Sequence, residues 1–189
     1  HPITKDTTST TINPFNSMND NKLNSRSPRS SKSSKMSRNS KSSEAILMVR
    51  PRAWNMRERH IMIDGREMMG ALLDYGLHVF HNAINLFQQK RGPYFYLSKI
   101  EHHKEAQLWN DIFLWTEKRM GLPVGTIRAC VLIENVCASF QMHEILYALK
   151  SHAIGLNCGM WDYAASFISK FRHDHRFVLP ERSKYVTMD

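Results

Sequence analysis

Apolar positions along this chain switch repeatedly between two spacings: the short continuous runs of buried strands and the three- and four-residue steps of amphipathic helices. Ile46 to Val49 reads as a short buried strand. Met68 to Phe87 reads as a long helix with Met69, Leu73, Gly76, Phe80, Ala83 and Phe87 on one face. Gly92-Pro93 breaks it, and Tyr94 to Ile100 follows as an aromatic and β-branched strand. Lys104 to Met120 is a second helix, striped by Leu108, Ile112 and Trp115 and closed by Gly121 and Pro123. Thr126 to Ile133 is the clearest strand. Ala138 to Lys150 returns as a helix that turns Phe140, Met142, Ile145 and Leu146 toward the sheet. Ile154 to Asn157 then reads as a strand and Asp162 to Phe171 as a last helix. Repeated βα units with apolar strands predict an α/β fold, a parallel sheet covered by helices. About four such units make half of a (β/α)8 barrel, and an open doubly wound sheet fits the same periodicity.

The first 43 residues follow neither period. Ser, Thr, Asn, Lys and Arg dominate them, and too few apolar side chains are present to offset the entropy of ordering, so residues 1–43 are expected to form a disordered basic tail. Arg26, Arg29, Lys32, Lys35, Arg38 and Lys41 recur at every third position among serines, a pattern suited to phosphates or to basophilic phosphorylation, or simply to a solvated extension. The tail carries +6 of the formal +9 charge, so residues 44–189 are only mildly basic, which argues against nucleic acid as the partner of the folded part. No apolar run approaches the roughly 18 residues of a membrane span, so an intracellular protein without a membrane partner is expected. Cys130, Cys137 and Cys158 lack zinc-like spacing and are expected to be free, buried thiols. His78, His81, His102, His103, His173 and His175 show no completed zinc geometry.

The candidate chemistry lies at strand ends, because parallel-sheet enzymes build their sites at the carboxyl ends of strands. Arg50 follows the first predicted strand, Glu134 the third, and Asp162 the glycine-containing turn after the fourth. Glu134 and Asp162 stand 28 positions apart, about one βα unit, so neighbouring strand ends bring two carboxylates to one cation. Oxygen ligands in a partly open shell suit Mg²⁺. Gly155 and Gly159 are expected to permit backbone conformations that side chains forbid, and the N–H groups of Met160, Trp161 and Asp162 would face an anion at the helix start. Each feature alone has a plainer reading: a surface ion pair for Arg50, helix-start acids for Glu134 and Asp162. Trp54 and Trp161 are placed to wall off water, and Tyr94, Phe95 and Tyr96 to fill the barrel.

Residues 151–163, Ser-His-Ala-Ile-Gly-Leu-Asn-Cys-Gly-Met-Trp-Asp-Tyr, strongly resemble the signature of malate synthases. Four further blocks look like family blocks in the family's order: Val49-Arg50-Pro51-Arg52-Ala53-Trp54, Gly92-Pro93-Tyr94-Phe95-Tyr96-Leu97, Gly125-Thr126-Ile127-Arg128 and Val131-Leu132-Ile133-Glu134. The resemblance covers about residues 44–189 and implies part of a (β/α)8 TIM barrel. It implies condensation of acetyl-CoA with glyoxylate and water to give malate and CoA, in the glyoxylate cycle. By that resemblance Glu134 and Asp162 hold Mg²⁺, Arg50 is the catalytic arginine, and Arg50, Glu134, Gly159, Met160, Trp161 and Asp162 contact glyoxylate.

The family takes its catalytic base, an aspartate, from a C-terminal helical domain, and further CoA contacts from later segments. Neither Asp174 nor Asp189 stands in a matching context, so a partial sequence, inactive alone, is expected. Nothing in the tail resembles the family's N-terminal region, although its acid-poor, Ser- and Arg-rich composition resembles an organelle transit peptide. A peroxisome, glyoxysome or mitochondrion is therefore expected rather than the cytoplasm. Whether isocitrate lyase is fused or associated is not written in the sequence. The competing readings are a Mg²⁺-dependent lyase of the citramalyl-CoA or β-methylmalyl-CoA type, and a basic nucleic-acid-binding module built on the tail.

Overall fold

The computed structural model describes residues 45–184, so the expectation for the tail lies outside the described residues. The chain runs through strand β1 (Arg57–Ile63), β2 (Arg66–Met69), helix α1 (Gly70–Gln88), β3 (Tyr94–Leu97), α2 (His103–Met120), β4 (Arg128–Ile133), α3 (Val136–Ser139), α4 (Met142–Ala148), β5 (Ala153–Cys158) and α5 (Met160–Phe171). Two short 3₁₀ turns follow, His175–Phe177 and Arg182–Lys184.

Strands β3, β4 and β5 form one parallel sheet in sequential order. Tyr94 pairs with Arg128, Leu97 with Val131, and Ile133 with Cys158. The strand expected over Ile46–Val49 contracts to a single parallel bridge between Val49 and Phe95, held by Val49 N–H to Tyr94 O and Tyr96 N–H to Val49 O, both 2.9 Å. Ile46, Leu47 and Met48 are exposed, so no packing extends that bridge into a strand. The bridge nevertheless sets Arg50 beside the parallel sheet. Neighbours in chain order are neighbours in the sheet, the order found in an arc of a barrel wall, and the sheet is not closed among the described residues.

The hydrophobic core lies between this sheet and the helices. Phe95, Leu97, Ala129 and Val131 are sealed against Tyr75 and Val79 of α1, Trp109 and Phe113 of α2, and Ile145 and Leu149 in and after α4. Ring centroids 5.0 Å apart for Tyr75 and Phe95, and 6.1 Å for Phe95 and Phe113, show how tightly the aromatic layer is filled. The faces expected of α1 and α2 are corrected here. Helix α1 buries Ala71, Tyr75, Val79 and Ala83, a four-residue ladder, while Phe80 and Phe87 point outward. Helix α2 buries Ala106, Trp109, Phe113, Thr116 and Glu117 and exposes Leu108 and Trp115. Both helices are apolar on two sides, so periodicity alone could not select the side that small residues such as Ala71 and Ala83 let approach the sheet.

Two further differences have local causes. The antiparallel hairpin of β1 and β2 was not expected, and it turns on Asp64-Gly65, both at positive φ (49° and 73°). This is the two-residue turn that Asp-Gly favours. The helix expected over 138–150 is split, because Gln141 (φ −125°) leaves helical conformation and its Oε1 accepts the His103 backbone N–H at 3.2 Å. Phe140 and Met142 are therefore exposed, whereas Ile145 is buried as expected and Leu146 is half-buried. Gly121 closes α2 as expected, in the left-handed region at φ 67°.

Candidate active site

The carboxyl ends of the strands deliver four charged side chains to one rim. Glu134 directly follows β4, and its side chain is nearly sealed, the residue being 4% exposed. Asp162 sits in the first turn of α5, joined to β5 only by Gly159, which is the residue preceding the helix. Lys99 lies two residues beyond β3. Arg50 follows Val49, the bridge residue beside β3, and its guanidinium lies 5.8 Å from the centre of the Tyr96 ring.

The expected pairing of Glu134 with Asp162 is present, and Lys99 joins it. Lys99 donates its backbone N–H to Glu134 Oε1 at 2.6 Å, and its Nζ lies 2.5 Å from Asp162 Oδ2 and 3.8 Å from Glu134 Oε2. Burial, and next the hydrogen bond to Asp162, push the Glu134 carboxyl above its ordinary 4.5. The same hydrogen bond and then the Lys99 ammonium hold Asp162 below its ordinary 3.8, with Arg50 adding a weaker pull. The two acids thus have their proton affinities pushed in opposite directions, as happens when like charges are forced into one site.

Gly159 makes this closeness feasible. A β-carbon there would fall 2.3 Å from Glu134 Cβ and 3.1 Å from its Cα, so any side chain would push the two strand ends apart. The expected reason was a special backbone conformation, yet Gly159 has an ordinary φ of −97°. Gly155, for its part, has open space around its Cα and no positive φ. Gly159 caps α5 with no side-chain hydrogen bond, leaving the first-turn N–H groups of Met160, Trp161 and Asp162 without a side-chain cap. The exposed Trp161 ring is covered by the Arg182 guanidinium at 4.2 Å. Trp54, expected near the site, stacks instead on Trp109 with centroids 4.5 Å apart and belongs to the helical layer.

Lys99 and Tyr96 were missed by the sequence reading. The rule that selected Arg50, Glu134 and Asp162 also points to the end of β3, where Lys99 stands. Strand alternation separates Phe95, which faces the helices, from Tyr96, which accepts a hydrogen bond from Asn157 Nδ2 at 2.5 Å and lies under Arg50. Tyr96 is thus a floor for the site rather than filler. An apolar cavity of about 510 Å³ opens beside Gly159, lined by Ile133, Met142, Cys158, Met160, Tyr163 and Phe167. It leaves Cys158 exposed, while Cys130 and Cys137 are half-buried, so the thiols are free but not sealed in the core.

No group of three or more His, Cys, Asp and Glu gathers for a metal among the described residues. Two carboxylates are what Mg²⁺ needs from a protein when waters and substrate oxygens complete its shell, so the Glu134–Asp162 pair fits that ion. The family described as malate synthase, TIM barrel domain, matches residues 46–189. The malate synthase of Myxococcus xanthus is 54% identical over 147 residues, covering 78% of this chain and 27% of the relative. That of Dictyostelium discoideum is 53% identical over 144 residues, covering 76% and 26%, and the glyoxysomal malate synthase of Candida tropicalis is 50% identical over 142 residues, covering 75% and 26%. The lyase alternative finds no support in these relatives. The chain spans about a quarter of their length. With five sequence blocks in family order, strand ends that converge on one rim and this match over residues 46–189, the chain belongs to the malate synthase family and represents part of its TIM barrel domain.

Proposed function

We propose that this chain supplies the glyoxylate and magnesium side of a malate synthase, which condenses acetyl-CoA with glyoxylate and water to give malate and CoA. The observation that carries the reading is the rim itself: two acids at neighbouring strand ends that share Lys99, one of them nearly buried, beside a helix N-terminus and an arginine. Glu134 and Asp162 would hold Mg²⁺, which when bound supplies Lewis-acid polarisation of the glyoxylate aldehyde. The N–H groups of Met160, Trp161 and Asp162 receive the glyoxylate carboxylate, the task for which first-turn donors are suited. Arg50, permanently charged and resting on Tyr96, stabilises the negative oxygen that develops when acetyl-CoA becomes a nucleophile. The Tyr96 floor limits where that guanidinium can point. The resemblance to the family assigns removal of the acetyl methyl proton to an aspartate of the family's C-terminal helical domain.

The relatives from Candida tropicalis and Cucumis sativus are named glyoxysomal, which favours a peroxisome-type compartment here as well. No helix among the described residues is long and apolar enough to cross a membrane.

The test uses a full-length protein containing this segment and follows CoA thiol release from acetyl-CoA and glyoxylate. Arg50→Ala, Glu134→Ala and Asp162→Ala are each expected to lower kcat/KM by about 100-fold or more. Unchanged kinetics in the Glu134 and Asp162 variants would sink the reading. The 189-residue chain alone is expected to bind Mg²⁺ and glyoxylate but to release no CoA.

A further inference from the structure

We propose that Lys99 is a built-in counter-cation: its ammonium holds the Glu134–Asp162 pair in the metal-free protein and leaves when a divalent ion enters. The inference rests on the reading of that pair as the Mg²⁺ site. Glu134 is nearly sealed and stands beside a second acid, and among the described residues Lys99 is the cation within ion-pair distance of both. Its Nζ lies 2.5 Å from Asp162 Oδ2 and 3.8 Å from Glu134 Oε2, near enough to both acids to compete with a metal ion that they would share.

The backbone is shaped for this task. Lys99 takes φ 57°, a left-handed conformation that costs a side-chain-bearing residue free energy and persists where its surroundings hold it. What holds it is the backbone N–H bonded to Glu134 Oε1 at 2.6 Å, together with the ammonium against the pair. The two parts of Lys99 have separable duties. The N–H keeps Glu134 aimed whatever fills the site, and the ammonium balances its charge only until a metal does.

Departure of the ammonium is easy. Lys99 has a flexible stem, its side chain is 47% exposed, and a free ammonium is strongly hydrated. Mg²⁺ therefore enters by exchange for an internal charge, which makes the vacant acids poor ligands for monovalent cations and keeps the rim assembled between turnovers. Displaced, the ammonium remains near the rim, where it adds positive charge for an incoming carboxylate.

Mn²⁺ binding to the full 189-residue chain, read from the loss of the free-ion electron paramagnetic resonance signal, tests the exchange without recourse to activity. Lys99→Met keeps the stem without the charge, and Lys99→Gly adopts the left-handed backbone freely; circular dichroism checks that both fold. Both are expected to bind Mn²⁺ about ten-fold more tightly than the unmodified chain, because the competing cation is gone. In the unmodified chain, acetylation of Lys99 by acetic anhydride, followed by mass spectrometry, is expected to rise when Mn²⁺ is added. If the unmodified chain binds Mn²⁺, Glu134→Ala does not, and both Lys99 variants bind no more tightly, the exchange is overturned and the metal site stands. If no form binds Mn²⁺, the exchange and the metal reading fall together.

Discussion

Two nearly buried glutamates sit at opposite ends of the same sheet and are treated by the fold in opposite ways. Glu117, wholly buried at the lower end, accepts the backbone N–H of Ile127 at 2.8 Å and of Gly125 at 3.1 Å, and meets His152 Nε2 at 3.1 Å. His152 is itself sealed and is held on its other side by Asn110 Oδ1 at 2.9 Å. Glu134, at the upper end, has one backbone donor and otherwise faces Asp162. The lower acid has every need met from within the protein and ties α2, the approach to β4 and the start of β5 together. The upper acid is left in a pair whose positive partner is the half-exposed Lys99 ammonium, at 3.8 Å from Glu134 and 2.5 Å from Asp162. Acceptor capacity left open toward a second acid therefore distinguishes a site from a scaffold more sharply than burial does.

The contrast can be broken most severely at its lower end. Glu117→Ala leaves two backbone donors and His152 Nε2 without partners in the interior and is expected to destabilise the chain by about 3–5 kcal/mol, read as a fall in the urea midpoint. Gly159→Ala comes next: with no room for its methyl group against Glu134 Cβ, it is expected to cost about 1–3 kcal/mol and also to weaken Mn²⁺ binding. Glu134→Gln should change the urea midpoint of the metal-free chain by less than about 1 kcal/mol or raise it, because it relieves the crowding of two acids while keeping the shape. It should abolish Mn²⁺ binding all the same. A Glu134→Gln variant as unstable as Glu117→Ala would show that both acids serve the scaffold and erase the distinction.

Much of the rim could be read in advance, and the reason is geometric. A strand end needs only one boundary to be located, so Glu134 after β4 and Asp162 after β5 could be placed from where the apolar runs stop. Helix faces need an angle as well as a boundary. In α1 the residues Leu77, Phe80, Ile84 and Phe87 mimic a buried stripe although they are exposed, and the true contact line runs through Ala71, Tyr75, Val79 and Ala83. The β1–β2 hairpin escaped because its strands, Arg57–Ile63 and Arg66–Met69, are mostly exposed and carry no clean alternation, leaving Asp64-Gly65 as the one signal. Lys99 escaped for a different reason. An acid pair implies a metal to anyone counting ligands, whereas a lysine implies nothing until its distance from both carboxylates is seen.

A third kind of acid lies between these extremes and gives the smallest effect. Arg52 forks onto Asp74 through Nε and Nη2, both at 2.9 Å, and reaches Glu58 through Nη1 at 2.8 Å, clamping the segment that carries Arg50 onto α1 and the hairpin. The Arg52 guanidinium holds Asp74 below its ordinary 3.8, while the His60 backbone N–H and then Arg52 bring Glu58 down to about 2. For carboxyls depressed in the folded state, the stabilisation is complete above their unfolded values of 3.8 and 4.5 and is lost as pH falls through the lowered ones. Arg52→Met is therefore expected to raise the pH of acid unfolding and to flatten the dependence of the urea midpoint on pH below about 5. Since these side chains reach solvent, salt should shrink the difference between the two proteins. A uniform drop in stability at every pH would mean that Arg52 acts through its packed stem. It would then belong with Glu117 as scaffold, and the Glu134–Asp162 rim would stand alone as the place where charge is held in reserve.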